Sequence, residues 1–150
     1  MTDQRFLFWQ KWLTYANVFA LIIGLLAAFA IDSFVFDVYN QNIQIQYADG
    51  QPLDPQMNLM KKWLFGIIGG TIAGFQLLII FISENAFRKR ERWAWVAVFS
   101  GMLMWFVVDS TACICYGAWF NVWLINIPSF ILILIPLIAT RKVFLSANDF

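Results

Sequence analysis

The sequence predicts an all-α membrane protein, built as a bundle of four transmembrane helices with one long, ordered outer loop. Hydrophobic residues make up 61% of the 150 residues and charged residues only 13%, and the apolar residues fall into four long runs. Soluble domains carry about half apolar and about a quarter charged residues, and a soluble fold does not bury this much apolar surface. We expect one membrane domain that spans residues 1–150.

Four apolar runs have the length of a membrane-spanning helix. They cover, to within a few residues, positions 12–36, 60–83, 93–117 and 118–140. The first run is too long for the core of a cleaved signal peptide, so we expect it to remain as a helix. The last two runs are almost continuous, which predicts a tight antiparallel hairpin. The tail VFLSANDF after Lys142 is expected at the membrane interface.

The segment between the first two runs, residues 37–59, is polar and carries no basic residue. Within it, NIQIQY alternates polar and apolar side chains, a pattern typical of a short strand. Asp49-Gly50, Pro52 and Pro55 mark turns after that strand. We therefore expect an ordered outer loop over the mouth of the bundle, with a short β-hairpin as its finer structure.

Basic residues indicate the orientation of the helices, because loops rich in Lys and Arg stay on the cytoplasmic side. Only two basic residues, Lys61 and Lys62, lie beside the loop 37–59. The other eight fall on the opposite side of a four-span topology: Arg5, Lys11, Arg88, Lys89, Arg90, Arg92, Arg141 and Lys142. Both termini are therefore expected in the cytoplasm and the loop outside.

The third run contains one charged residue, Asp109, and an ionisable residue inside a membrane helix is a functional candidate. It lies about eight residues before the outer end of that run, at a depth of about 12 Å. Other polar and aromatic residues share its helix face or lie in the outer parts of neighbouring runs. The sequence predicts an outward-facing polar pocket that binds or moves a small or lipid-like molecule, formed by Asp109, Tyr116, Asn121, Asn126, Asp32 and Trp105.

Other interpretations of Asp109 remain open. The residue is equally well explained as a structural one that hydrogen-bonds an asparagine or a carbonyl freed by Pro128. The protein would then be an accessory membrane protein that acts through helix–helix and outer-loop contacts with another membrane protein. A third interpretation is a lipid-modifying enzyme with Asp109 as acid or base. Enzymatic activity is the least supported, because the sequence shows no nucleophile–base pair.

Gly66, Gly70 and Gly74 recur every four residues in the second run and share one helix face. Small residues at this spacing let two membrane helices approach closely. Packing inside the monomer is favoured over a homo-oligomer formed through this face. Gly70 is expected to be among the positions in this helix that tolerate a leucine least.

The composition disfavours several other functions. The net charge is +1 and no basic face exists, which argues against a nucleic-acid partner. The chain has no histidine, the commonest metal ligand and general base. Cys113 and Cys115 are two residues apart and point to different sides of a helix, so we interpret them as packing residues. We expect no metal and no cofactor, and membrane lipids as partners.

The stretch ERWAWVAVFSGMLMWFVVD, the following Asn121 and Asn126, and the ending PLIATRKVF resemble uncharacterised bacterial four-span integral membrane proteins. The resemblance covers the last three predicted helices. It implies a four-helix membrane fold and a location in the bacterial inner membrane. It implies no activity that can be assigned to particular residues.

Overall fold

The structure is a computed structural model that describes residues 1–145. Residues 146–150, the last part of the tail predicted at the membrane interface, lie outside the described residues. The described chain contains no β-strand and five helices: α1 (Asp3–Ala30), α2 (Asp37–Tyr47), α3 (Pro55–Phe87), α4 (Arg92–Cys115) and α5 (Trp119–Leu145). All of them except α2 are long and apolar enough to cross a membrane.

Helix α1 begins at Asp3, well before the predicted start at position 12. The Thr2 hydroxyl accepts a hydrogen bond from the backbone N of Arg5 at 3.4 Å and caps the helix, and Asp3 places a negative charge in the first turn. α1 also ends earlier than predicted, at Ala30, and a short 3-10 turn, Phe34–Phe36, follows it. Residues 3–11, which precede the first apolar run, are therefore part of that helix.

Helix α3 begins at Pro55, before the predicted start at position 60. Asp54 Oδ1 accepts hydrogen bonds from the backbone N of Gln56 and of Met57, both at 2.9 Å, and so satisfies two donors of the first turn. Proline suits the first helical position because its missing N–H needs no partner there. The helix ends in a wide π turn, Ser83–Phe87.

The loop between α1 and α3 contains helix α2 in place of the expected strand, and NIQIQY is helical. The end of the bundle that carries α2 is called the outer end, and the opposite end the inner end. Tyr39, Ile43 and Tyr47 are spaced four residues apart, so they lie on one face of a helix. Tyr39 packs against Phe65 and Phe120, and Ile43 is half-buried. The alternation of Gln and Ile that suggested a strand is short, and the longer helical spacing of the contact residues decides the structure. The β-hairpin is thus not confirmed.

The four long helices pack as two antiparallel pairs, α1 with α3 and α4 with α5. The two pairs meet mainly through α1 and α5, where Trp12 Nε1 donates a hydrogen bond to the carbonyl oxygen of Leu132 at 3.0 Å. Helices α3 and α4 touch at few positions, one of which brings Phe75 against Gly101. The bundle is therefore more open between α3 and α4 than along its other sides.

Most of the buried apolar residues fall into two separate clusters. The larger cluster lies in the inner half and draws on all four long helices: Phe6, Leu13, Ile79, Ala86, Phe87, Ala94, Val98, Met102, Ile133, Leu137 and Phe144. The smaller cluster lies in the outer half and consists of Ala27, Ile31 and Phe36, with Tyr39 and Phe65 packed against it. The outer halves of the two helix pairs therefore share no common buried core in the described chain.

The glycines of α3 do not pack as the sequence suggested. The close contact with α1 is made by Gly69, which has no room for a Cβ atom beside Gly24 and Ala28. Gly70 and Gly74 face open space, with nothing within 4 Å of a Cβ position. The expectation that Gly70 lies at a helix contact inside the monomer is therefore wrong, because the packed face lies one residue away.

Candidate functional site

One oxygen of Asp109, Oδ2, accepts three hydrogen bonds near the outer end of the α4–α5 pair. Asn126 Nδ2 donates at 2.7 Å, Asn121 Nδ2 at 3.2 Å and Cys113 Sγ at 3.5 Å. Cys113 follows Asp109 by one helical turn, so the same face of α4 carries both groups. The structure thus brings Asp109 and the two predicted asparagines together.

The two asparagines are also linked to each other. Asn121 Nδ2 donates to Asn126 Oδ1 at 3.1 Å, and Asn126 Nδ2 donates to Ser110 Oγ at 3.0 Å. Asn126 is 0% exposed, so this amide depends on protein hydrogen bonds. The result is a connected polar network in a part of the chain that is otherwise apolar.

A π turn in α5, Val122–Asn126, explains why two asparagines five residues apart reach the same carboxylate. In a regular helix, positions five apart point in different directions. Here the backbone N of Ile127 donates to the carbonyl oxygen of Val122, five residues back, and the wider turn aligns Asn121 with Asn126. Pro128, which follows directly and has no N–H to donate, is compatible with this local widening.

Helix α2 adds a residue that the sequence did not indicate. Tyr39 Oη donates a hydrogen bond to Asn121 Oδ1 at 2.9 Å. Its ring meets Phe65 of α3 and Phe120 of α5 edge to face, with centroids 5.6 and 5.1 Å away. Burial raises the pKa of Tyr39, so its hydroxyl stays protonated and acts as a donor at neutral pH. Tyr39 therefore connects α2 to both helix pairs and closes the outer side of the network.

A second contact holds α2 over the turn between α4 and α5. Tyr47 Oη donates to the carbonyl oxygen of Tyr116 at 3.2 Å. Gln46 lies against Gly117, where a Cβ atom would come within 2.8 Å of the amide nitrogen of Gln46. Gly117 also has a φ of 76°, a backbone conformation that favours glycine. α2 is thus an ordered cover, as the sequence predicted for this loop in general terms.

Three of the predicted site residues lie outside the network. The side chain of Tyr116 is 79% exposed, and only its backbone carbonyl is bonded. Trp105, one turn before Asp109 on α4, packs against the inner apolar cluster and makes no hydrogen bond in the described chain. Asp32 has lysine partners instead. These three side chains are therefore not part of the hydrogen-bonded network at Asp109, and their part in a ligand site stays a prediction.

Asp32 forms its own charged cluster at the outer end of α1. Lys61 Nζ and Lys62 Nζ each lie 2.7 Å from one of its carboxylate oxygens. Lys61 also donates to Asn40 Oδ1 at 3.1 Å, and Asn40 Nδ2 donates to the carbonyl oxygen of Ile31 at 2.8 Å. The hydrogen bond from Lys61, followed by that from Lys62, lowers the pKa of Asp32. This cluster ties α1, α2 and α3 together.

Three residues of the network, Ser110, Cys113 and Tyr39, were not among the predicted site residues. The sequence contained a partial signal for two of them. Ser110 is adjacent to Asp109, and Cys113 stands at the i+4 position, so their faces were readable from helical spacing. Cys113 was interpreted as packing, whereas its thiol lies 3.1 Å from Asn121 Nδ2 as well. Tyr39 was missed because the strand prediction for the loop concealed the helix that positions it.

The network leaves one carboxylate oxygen free. Within residues 1–145, Asp109 Oδ1 has no hydrogen-bond donor, and no Lys or Arg lies within 4.0 Å of this carboxylate. The same part of the chain contains no cluster of three or more His, Cys, Asp or Glu side chains that could hold a metal ion. The arrangement can accept a hydrogen bond or attract a positive group at Oδ1.

No protein-family model matches this chain, and neither a curated protein nor a solved structure is significantly similar to it. The similarity to bacterial four-span proteins therefore remains an expectation from the sequence.

Proposed function

We propose that the protein is a small multi-pass membrane protein whose Asp109 site binds or moves a small or lipid-like molecule. The observation that carries this proposal is the asymmetry of the carboxylate. Oδ2 is held by three neutral donors, whereas Oδ1 has no donor in the described residues. An acidic group without a cationic partner at this depth in a membrane is costly, and a ligand that supplies a donor or a positive charge would offset that cost.

The packing supports access from the outer side. The inner halves of all four long helices share one buried cluster, which closes that end of the bundle. The outer halves have no such common cluster, and α3 contacts α4 at few positions. α2 covers the network through Tyr39. A ligand would therefore reach Asp109 from the outer leaflet or after displacement of α2.

The orientation that belongs to this proposal has both termini in the cytoplasm and α2 outside. It rests on the eight-to-two distribution of basic residues, and a bacterial inner membrane is the proposed location. The four long apolar helices are compatible with this arrangement. A lipid-modifying enzyme with Asp109 as acid or base is the weaker form of the proposal. The network does hold a thiol beside this carboxylate, with Cys113 Sγ 3.5 Å from Asp109 Oδ2, but the sequence has no histidine, the commonest general base at neutral pH.

One observation favours a second candidate function, that of an accessory protein bound to another membrane protein or to a second copy. Gly70 and Gly74 are exposed on α3 and have open space around their Cβ positions. A Cβ atom at Gly66 would lie 4.0 Å from the carbonyl oxygen of Ala28, an ordinary contact distance. In a membrane, a face of small residues allows another helix to approach closely.

Native mass spectrometry of the protein in lipid nanodiscs tests the first candidate. We expect the parent protein to retain a co-purified molecule that Asp109→Asn loses and that Asp32→Asn keeps. Asp32 is a suitable control because it is an acidic residue of the outer half with its own lysine partners. An identical set of bound molecules in all three proteins would contradict a ligand site at Asp109. If the parent protein instead carries the additional mass of a bound protein or of a second copy, the result favours the accessory function.

A further inference from the structure

The contacts along the α1–α3 pair and at its two ends recur every seven or eight residues, about two helical turns. Four layers of contact are visible from the inner to the outer end. Asp3 pairs with Arg90, Gln10 with Ser83, Gly24 with Gly69, and Asp32 with Lys61 and Lys62. Each layer contains a direct contact between the two sides, and the spacing from Gln10 to Gly24 leaves room for one more layer between them.

The intermediate layer consists of Asn17 and Gln76. Asn17 is seven residues from both Gln10 and Gly24, and Gln76 is seven residues from their two counterparts on α3. The spacing therefore places the two residues at the same level of the helix pair. Asn17 is 0% exposed and Gln76 is 8% exposed. Since α1 begins at Asp3, this layer lies about 21 Å from its inner end, close to the centre of a bilayer.

Each of these two amides has a buried oxygen without a donor. Asn17 Oδ1 and Gln76 Oε1 find no hydrogen-bond partner anywhere in residues 1–145. The nitrogen of Asn17 is already engaged, because Nδ2 donates to the carbonyl oxygen of Leu13 at 2.6 Å. Two acceptors therefore lie in one layer, and no donor of residues 1–145 reaches either of them, an arrangement that is costly away from bulk water.

We propose that one internal water molecule lies between Asn17 and Gln76 and donates a hydrogen bond to each of the two amide oxygens. Water has two donor hydrogens, so a single molecule satisfies both acceptors. Buried waters occur where otherwise unsatisfied polar groups converge. The proposal is independent of any ligand at Asp109. The centre of the α1–α3 pair is then a hydrated polar layer. The layers on either side of it are held by direct contacts between protein atoms.

Water-edited solid-state NMR on the protein in lipid bilayers, with Asn, Gln and Thr isotopically labelled, tests this proposal. We expect magnetisation from water to reach the side chains of Asn17 and Gln76 faster than that of Thr140. Thr140 is the matched control, because it is 0% exposed and its hydroxyl bonds only to carbonyl oxygens of Pro136 and Leu137. Transfer no faster than to Thr140 would overturn the proposal and indicate a direct amide–amide bond.

Substitution of one amide tests whether a single water is shared. In Asn17→Leu, we expect the fast transfer to Gln76 to fall to the level of Thr140, because one remaining acceptor does not hold the water. Unchanged transfer to Gln76 would overturn the bridge. We also expect the parent spectrum to be the same in sodium chloride and in choline chloride. A change in the Asn17 and Gln76 signals that requires sodium would assign a cation in place of the water and would likewise overturn the proposal.

Discussion

Gly69 of α3 lies directly against the backbone of Gly24 in α1. A Cβ atom added at Gly69 would overlap the carbonyl oxygen of Gly24 and would come within 2.6 Å of the backbone N of Ala28. The opposite substitution is almost as tight, since a Cβ at Gly24 would lie 3.0 Å from the carbonyl oxygen of Gly69. Because lipid is as apolar as leucine, such close packing is a main source of helix association in membranes.

Gly69→Ala is therefore expected to destabilise the bundle by roughly 1–3 kcal/mol, the usual cost of overpacking a tight contact. Gly70→Ala is the matched control, because the same methyl group would meet nothing within 4 Å. Thermal unfolding of the purified variants in detergent measures the difference. Equal unfolding temperatures for the two variants would contradict the close contact.

Asp109→Leu is expected to lower stability by about 1–3 kcal/mol, because the amide groups of Asn121 and Asn126 lose their shared acceptor. Asp109→Asn keeps an acceptor oxygen and should stay close to the parent. Thr111→Leu is a control on the same helix, since the Thr111 hydroxyl bonds only to the carbonyl oxygen of Val107 in its own helix. Chemical denaturation of the three variants distinguishes them. If Asp109→Leu and Thr111→Leu are equally stable, the network does not hold the bundle.

Tyr39→Phe removes the hydrogen bond to Asn121 and keeps the ring between Phe65 and Phe120. We expect a loss of about 1 kcal/mol in the local stability of α2 and faster amide hydrogen exchange over residues 37–47. Tyr15→Phe serves as the control, because Tyr15 is exposed on α1. If Tyr39→Phe leaves amide hydrogen exchange in α2 unchanged, ring packing alone holds α2 over the network.

The ion pairs of Asp32 are expected to make the stability of the protein depend on pH in the acidic range. Its two lysine partners lower the pKa of its carboxyl below the ordinary value of 3.8. A carboxyl of this kind stabilises the folded state above the unfolded pKa, and the contribution is lost as pH falls through the folded pKa. The parent should therefore lose more stability than Asp32→Asn on acidification below about pH 4. Thermal unfolding at a series of pH values measures this, with Asp49→Asn in the exposed turn as control. Parallel curves for parent and Asp32→Asn would contradict the expectation.

The proposed orientation predicts opposite labelling of two exposed positions, Gln51 after α2 and Lys89 between α3 and α4. In a background with Cys113→Ser and Cys115→Ser, a membrane-impermeant maleimide should label Gln51→Cys in intact cells. Lys89→Cys should react only after the membrane is opened. Labelling of Lys89→Cys in intact cells, with protection of Gln51→Cys, would reverse the topology.

The sequence by itself determined the number and approximate position of the long helices. Twenty or so apolar residues in a row partition into lipid whatever their neighbours are, so the four runs are a local property of the chain. Asp109 was identified as a candidate because it is the one charged residue in its apolar run. Its hydrogen-bond partners were then limited to the few polar residues at a similar depth. Asn121 and Asn126 were found in this way, because few alternatives exist in an apolar segment.

Only the tertiary structure decided which face of each helix is packed. In a soluble helix the apolar stripe marks the core, but in a membrane the lipid-facing side is apolar too, so periodicity does not orient the helix. The contact at Gly69 instead of Gly70 depends on how α1 crosses α3. The alignment of Asn121 with Asn126 depends on a π turn before Pro128. The place of Tyr39 over that network depends on α2 reaching across two helix pairs, and the pairing of Asp32 with Lys61 depends on residues 29 positions apart. These relationships are set by long-range packing, which no local pattern encodes.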